Sequence, residues 1–300
     1  MAKAQLVSIG ICTYRRPSVV ETIASLAAQE LPQNISLRVV VADNDTEPEA
    51  RARVLQAAAQ SGLDIAYVHA PSRNICIARN ACLDAASGDW VAFLDDDEIA
   101  APNWLAALLG EAWSSGRDAV LGPVQAIYGD AAPEWLKAAD LHSTWPVVNA
   151  GRISKGYAGN VLIRRSAIAA RGLRFDLALG RSGGEDDDFF YRLTDAGGTI
   201  GFAPGALAFE PVPVERSTLR WLLRRGFRTG QTHGARLGAS HRGMRRAAQM
   251  ALAALKGLVC LAAAGGRVAS TRGRNRWLVR GSLHAGVVAR LAGVGVLQLY

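Results

Sequence analysis

The sequence predicts an α/β fold built on a mostly parallel, Rossmann-like sheet with flanking helices, and three observations carry that expectation. Short branched apolar runs alternate with segments of helical spacing through the first third of the chain. The runs are apolar at consecutive positions, as strands buried on both faces require. Polar clusters stand directly after three of the runs, at the strand ends where such sheets bind ligands.

The strand candidates are "LVSIGIC" (6–12), "SLRVVVA" (36–42), "IAYVH" (65–69) and "WVAFL" (90–94). Between them "SVVETIASLAAQE", "EPEARARVLQAAAQ" and "NICIARNACLDAAS" have the spacing of helices. Thr13 and Tyr14 follow the first strand, Asp43, Asn44 and Asp45 the second, and Asp95, Asp96 and Asp97 the fourth. The first strand leads into "TYRRPSVVET" with no GxGxxG, which argues against a hydride-transferring dinucleotide enzyme.

The middle region, about 118–215, reads as strands and loops and ends in "GRSGGEDDDFFYRLTDAGG". Phe189, Phe190 and Leu193 have helical spacing, so the acidic run falls near a helix N-terminus, where carboxylates suit the dipole. Beyond Arg216 the texture turns to Arg-rich helical sequence. The run 247–266 is about a bilayer span in length, but Gln249 and Lys256 interrupt it, so an interfacial or core helix is expected rather than a spanning one.

Half of the 300 residues are hydrophobic, enough for one large core, with an appendage. The net charge of +8 conceals a division: sixteen Lys and Arg and no Asp or Glu from Arg216 to Tyr300, against 18 basic and 26 acidic residues before it. Such asymmetry points to a polyanion or an anionic membrane surface beside the C-terminal part. Cys12, Cys76, Cys82 and Cys260 follow no metal-ligand spacing and read as reduced thiols of a cytoplasmic protein. The N-terminus lacks the pattern of a secretory signal. The five histidines show no paired spacing, and none is expected to bind metal.

The acidic clusters carry the chemistry. A hard divalent cation is usually held by one or two carboxylates plus substrate phosphates, and Asp95-x-Asp97 at a strand end suits that arrangement. A second carboxylate after Gly183-Gly184 suits a base that takes a proton from an attacking hydroxyl. One cluster would bind a diphosphate leaving group and the other would activate a nucleophile.

In order along the chain, "VSIGICTYRRP", "VVVADND", "ARNACLDAASGDWVAFLDDDE", "GNVLIRR" and "GGEDDDFFYRL" resemble the motifs of glycosyltransferase family 2. The resemblance covers about residues 5–235 and is nearest to bacterial members that build exopolysaccharide repeat units on a lipid carrier. It implies a GT-A fold over 1–235; the charge and apolar segments beyond it are expected to make 236–300 a basic helical extension at a membrane surface. It implies inverting transfer of a sugar from a nucleoside-diphosphate sugar, a UDP-sugar being favoured, to a lipid-linked or saccharide acceptor. Thr13 and Tyr14 would lie along the nucleoside, Asp43 would pair with the base, Arg79 would sit near the nucleotide and Asp95 near the ribose or sugar. Asp97 would ligate Mn²⁺ or Mg²⁺, Gly159 and Asn160 would border the sugar and acceptor, and Glu185 with Asp186 would form the base motif, Asp186 being the base. Two departures stand out: the QxxRW of processive synthases is replaced by a different arrangement of Trp221, Arg224 and Arg225, and Glu210 occupies a place where many members have histidine.

Two other classes fit parts of the sequence. A nucleotidyltransferase could use the same metal-nucleotide site, releasing pyrophosphate instead of a nucleoside diphosphate. A non-catalytic basic module could bind membrane or nucleic acid through the C-terminal arginines. No nucleic-acid motif occurs, and Trp221 and Trp277 do not form a stacking platform, so no nucleic-acid partner is expected. The expected place of work is the cytoplasmic face of the inner membrane.

Overall fold

The four apolar runs of the first third become adjacent parallel strands. The structure, a computed structural model, describes residues 4–298. The first third forms β1 (Gln5–Thr13), α1 (Val19–Ala27), β2 (Ile35–Asp43), α2 (Arg51–Ser61), β3 (Asp64–His69), α3 (Ile75–Ala85) and β4 (Trp90–Leu94). The middle forms β5 (Ile99–Ala100), α4 (Trp104–Ser115), β6 (Ala119–Leu121), β7 (Val124–Tyr128), α5 (Glu134–Ala139), β8 (Val148–Asn149) and β9 (Arg152–Ile153). It continues through β10 (Asn160–Arg164), α6 (Arg165–Ala170), α7 (Glu185–Asp195), β11 (Ile200–Phe202) and β12 (Ala208–Val212). Three long helices follow: α8 (Leu219–Ser240), α9 (Gly243–Gly265) and α10 (Thr271–Leu291).

The main sheet has seven strands in the order β11-β6-β10-β4-β1-β2-β3, and β10 runs antiparallel to both neighbours. Alternate residues feed two cores. Val39 and Val41 pack with Ile9, Ile11 and Trp104 on one face, while Val40 and Ala42 pack with Phe93, Cys76 and Phe175 on the other. Burial of each such side chain contributes about 1.5–3 kcal/mol. Gly10 permits α3 to approach, because a Cβ there would lie 2.8 Å from Phe93 Cε1 and 2.9 Å from Cys82 Cβ. All four cysteines are free thiols, three of them buried.

The chain divides into two compact units. The first comprises Met1–Ala126, Ser143–Arg181 and Glu185–Pro211; the second comprises Ile127–His142, Ser182–Gly184 and Val212–Tyr300. The expected break at 235/236 falls inside α8, which runs on to Ser240. The glycines on either side of that position are packing positions within one helix. Gly226, Gly230, Gly234 and Gly238 recur every four residues and face α10: a Cβ on Gly230 would stand 2.8 Å from the backbone carbon of Leu283, and one on Gly234 would stand 3.0 Å from the Val287 carbonyl. Only glycine allows helix backbones to come this close.

In the same unit, α10 is covered from both sides, since Gly281 faces Cys260 of α9 and Gly286 faces Gln231 of α8. The weakly apolar sequence of 277–300, which could by itself bury one face in a headgroup region, is thus taken up by helix packing over α10; Leu299 and Tyr300 lie outside the described residues. Trp221, near the start of α8, stacks on His142 at 5.2 Å, with Arg225 over its ring at 5.3 Å, a structural contact within this unit.

Candidate active site

All the predicted site residues belong to the first unit. Register places three of their clusters at one edge, because Thr13 pairs with Asp43 across β1 and β2, and β1 also pairs with β4, the strand before Asp95. Thr13 is buried and Tyr14 is exposed, with the Arg15 guanidinium 5.3 Å from its ring. Arg15, at φ 56°, turns the chain so that its Nε donates to Asp45 at 2.6 Å.

Asp43 is wholly buried. Its Oδ1 accepts the Asp45 N–H at 3.1 Å, and its Oδ2 accepts the Ala50 N–H at 3.1 Å and the Tyr67 hydroxyl at 2.8 Å. These three bonds organise the loop after β2, and Oδ1, which accepts only one of them, retains the capacity for a further donor such as the N–H of a nucleobase. Asn160 is wholly buried: its Oδ1 accepts from Trp104 Nε1 at 2.7 Å and its amide donates to the carbonyls of Pro123 and Ala206 at 2.9 and 2.8 Å, so its side chain ties β10 to neighbouring segments. Gly159 does border the acidic turn: a Cβ there would lie 2.7 Å from Glu98 Oε1 and 3.0 Å from Asp95 Oδ2.

The acidic turn after β4 is closed by Glu98, which the sequence reading passed over. Glu98 is buried and accepts the Asp95 N–H at 3.2 Å, while its own N–H donates to the Asp95 carbonyl at 3.1 Å. Burial, together with Asp95 and Glu210, pushes its carboxyl well above the usual carboxylate range. Glu210 arrives because β12 pairs antiparallel with β5, Ala208 opposite Ala100 and Phe209 opposite Ile99. Arg16 spans the other side of the turn, with Nη1 2.8 Å from Asp96 and 2.6 Å from Asp97. Burial raises Asp96 to about 6, against the pull of Arg16.

The second acidic cluster opens α7, and Arg79 reaches it from α3. Arg79 Nη1 lies 2.7 Å from Glu185 Oε1 and also pairs with Asp186 Oδ1, while Nη2 stands 3.9 Å from Asp95. Arg79 was assigned to the nucleotide by the resemblance; in the structure it serves first the Glu-Asp pair. The other Asp186 oxygen accepts the Ala158 N–H at 3.2 Å. Burial raises the Asp186 carboxyl to about 7; Arg79 pulls it down, and Glu185 and Asp95 push it up. The site therefore offers a fixed carboxyl balanced near neutrality, joined through one guanidinium to the turn that carries Asp97.

Among the described residues no three His, Cys, Asp or Glu side chains form a ready metal cluster. A cation that takes most of its ligands from substrate oxygens still fits. Asp97 supplies a hard carboxylate beside a buried Asp96 Oδ2 that has no hydrogen-bond partner.

The family model for "Glycosyl transferase family 2" matches residues 8–172. The succinoglycan biosynthesis protein ExoM of Rhizobium meliloti (strain 1021) is 50% identical over 294 residues, which cover 98% of this chain and 95% of that protein. The glucosyl-dolichyl phosphate glucuronosyltransferase of Haloferax volcanii is 30% identical over 133 residues, 43% of this chain and 39% of its own. Among solved structures, GalNAc-T7 with UDP, GalNAc and Mn²⁺ superposes with a TM-score of 0.57 at 18% identity, over 74% of this chain and 47% of that one. That likeness concerns the fold, which is the GT-A arrangement the sequence predicts.

Proposed function

The chain belongs to glycosyltransferase family 2, and we propose that it transfers a sugar with inversion from a nucleoside-diphosphate sugar, a UDP-sugar being favoured, to a hydroxyl of a lipid-linked saccharide during exopolysaccharide assembly. The observation that carries this reading is Asp186, whose carboxyl is held at one oxygen by Arg79 and at the other by the Ala158 N–H. A base balanced near neutral pH suits abstraction of a hydroxyl proton.

The step needs one displacement. The acceptor oxygen forms a bond to the anomeric carbon as its proton passes to Asp186. The bond from that carbon to the diphosphate oxygen breaks, and the nucleoside diphosphate leaves with the electron pair. Arg79 keeps Asp186 in place, and Glu185 shares the same guanidinium. Arg16, paired with Asp97, adds positive charge on the side of the turn where the diphosphate would leave. Asp97 would hold Mn²⁺ or Mg²⁺, which when bound supplies further positive charge to the leaving diphosphate. Thr13 and Tyr14 flank the nucleoside, with Asp43 setting the loop beside it, and Gly159 leaves room for the donor sugar next to Asp95.

Support for a saccharide acceptor comes from the relative named for succinoglycan biosynthesis, and support for a lipid link from the one named for glucosyl-dolichyl phosphate. Work at the cytoplasmic face of the inner membrane follows from such an acceptor. The test is a donor screen that detects UDP or GDP release with and without Mn²⁺. Release of a nucleoside diphosphate that rises on adding a lipid-linked acceptor is expected; release of pyrophosphate would overturn the reading in favour of nucleotidyl transfer.

A further inference from the structure

Six of the large apolar side chains exposed on the described surface lie on the single helix α9. This helix packs within its unit through Ala253, Cys260 and Ala264, which are buried. On the opposite side Leu252, Leu255, Leu258, Val259 and Leu261 are 44–63% exposed and Met244 is 90% exposed. At 3.6 residues per turn, Arg245, Arg246, Gln249 and Lys256 all fall on the packed side or its flanks. The outward arc from Ala247 to Gly265 therefore carries no charge. A continuous apolar face of this extent on an otherwise well-packed unit marks an interaction surface.

Its rim says what it meets. Arg242, Arg245, Lys256, Arg267 and Arg272 are exposed along the helix and at its ends, and nothing acidic occurs from Arg216 onward. A protein partner would have to answer the apolar stripe and the cations together; an anionic bilayer surface answers both at once, with acyl chains below and headgroup phosphates around. Nucleic acid would answer only the charge.

We propose that α9 lies in the plane of an anionic bilayer, with its Leu252–Leu261 face sunk to the acyl boundary and its flanking cations on the phosphates. It is long and apolar enough to cross, but its partner helix prevents this. α10 runs antiparallel beside it, as the Arg246 bond to the Leu291 carbonyl at 3.0 Å and the Gly281–Cys260 contact fix, and α10 carries Arg272, Arg276, Arg280 and Arg290. A spanning α9 would draw those arginines toward hydrocarbon, where they are among the costliest residues. The proposal rests on the lipid-linked acceptor for its purpose, but its test does not depend on turnover.

The test is flotation of the full chain with phosphatidylcholine vesicles and with vesicles that include phosphatidylglycerol, at low and high salt. A double variant, Leu255→Glu with Leu258→Glu, is run alongside. Both positions are exposed, so the fold is unaffected, which circular dichroism and nucleoside diphosphate release to a soluble acceptor check. The expected result is flotation on anionic vesicles that weakens with salt, and at least a roughly tenfold loss in the variant with its release rate unchanged. Equal flotation of the variant, or none of the wild type on any vesicle, would overturn the proposal. So would attachment that resists carbonate, which means insertion, or an oligomer in sedimentation that the variant dissolves, which means that a second copy covers the face. Loss of nucleoside diphosphate release in the wild type would instead count against the donor reading and leave the flotation result standing.

Discussion

The two compact units depart from the ordinary division between an apolar interior and a polar surface in opposite directions. The first unit buries charge: Arg79, Asp96, Glu98 and Glu185 are each less than a tenth exposed. The second turns apolar side chains outward along α9 and packs its helices backbone to backbone through glycine. The first departure leaves charge in a low-dielectric interior, and the second leaves apolar surface in water. Buried carboxylates and arginines suit a diphosphate and a cation, which arrive with charge of their own. An outward apolar face suits a lipid boundary. The difference teaches that function is read here from where burial and polarity disagree, rather than from the residues that obey the pattern.

The largest effect that would test the first half of this comparison is on transfer. Asp186→Asn is expected to retain donor binding, measured by calorimetry with UDP and Mn²⁺, and to lower turnover roughly 10²–10⁴-fold, the range of a positioned general base. Because the Asp186 carboxyl is raised to about 7, the base is protonated below that pH, so kcat/KM should fall as pH drops through neutrality. Arg79→Gln removes the cation that favours ionisation and should move this limb to higher pH. An unchanged limb would separate Arg79 from the base.

Asp97→Ala comes next. It should remove the Mn²⁺ dependence of UDP binding while leaving the melting temperature nearly unchanged. Arg16 keeps Asp96 as a partner, so the change leaves no unpaired buried charge behind. Binding that still responds to Mn²⁺ would take Asp97 out of the cation site.

The second unit is tested through its glycines. Alanine in place of glycine inside a helix ordinarily gains about 1 kcal/mol. At Gly230 the added Cβ would press on the Leu283 backbone, which cannot rotate away, and overpacking of that kind costs about 1–3 kcal/mol. Gly230→Ala is therefore expected to destabilise on balance, with hydrogen exchange rising in α8 and α10 and not in β1 to β4. A stabilised variant would mean that the two helices are not in backbone contact.

The parallel strands were legible because a strand buried on both faces must be apolar at consecutive positions, and β4 begins and ends where its apolar run does. The acidic turn and the Glu-Asp pair were legible as charge clusters at strand and helix ends. The protein partners of Asp43 and Asn160 were not, because the sequence of a strand end does not say which neighbouring segments its polar side chain holds. Glu98 was hidden by the three aspartates before it, since sequence cannot say which member of an acidic run turns inward. The glycine ladder of α8 was not legible, because a four-residue spacing of small residues signals close packing only when a partner helix is known.

The smallest expected effect concerns Glu98 and sharpens the claim that buried charge in the first unit is held for a ligand. Its folded-state carboxyl is raised by burial, by Asp95 and by Glu210, so the folded protein holds this proton more tightly than the unfolded chain. Stability from that proton is complete below the unfolded carboxylate value of about 4.3 and is lost as pH rises through the raised one. Glu98→Gln mimics the protonated state and can keep the bond from the Asp95 N–H. The variant should therefore melt slightly higher than the wild type above the raised value, with the difference vanishing in acid. UDP with Mn²⁺ should narrow the gap by raising the wild type more, because added positive charge near the turn favours an ionised Glu98. A variant that is less stable at every pH would show that the ionised carboxylate is already compensated within the protein, and that this part of the unit's buried charge is not kept for a ligand.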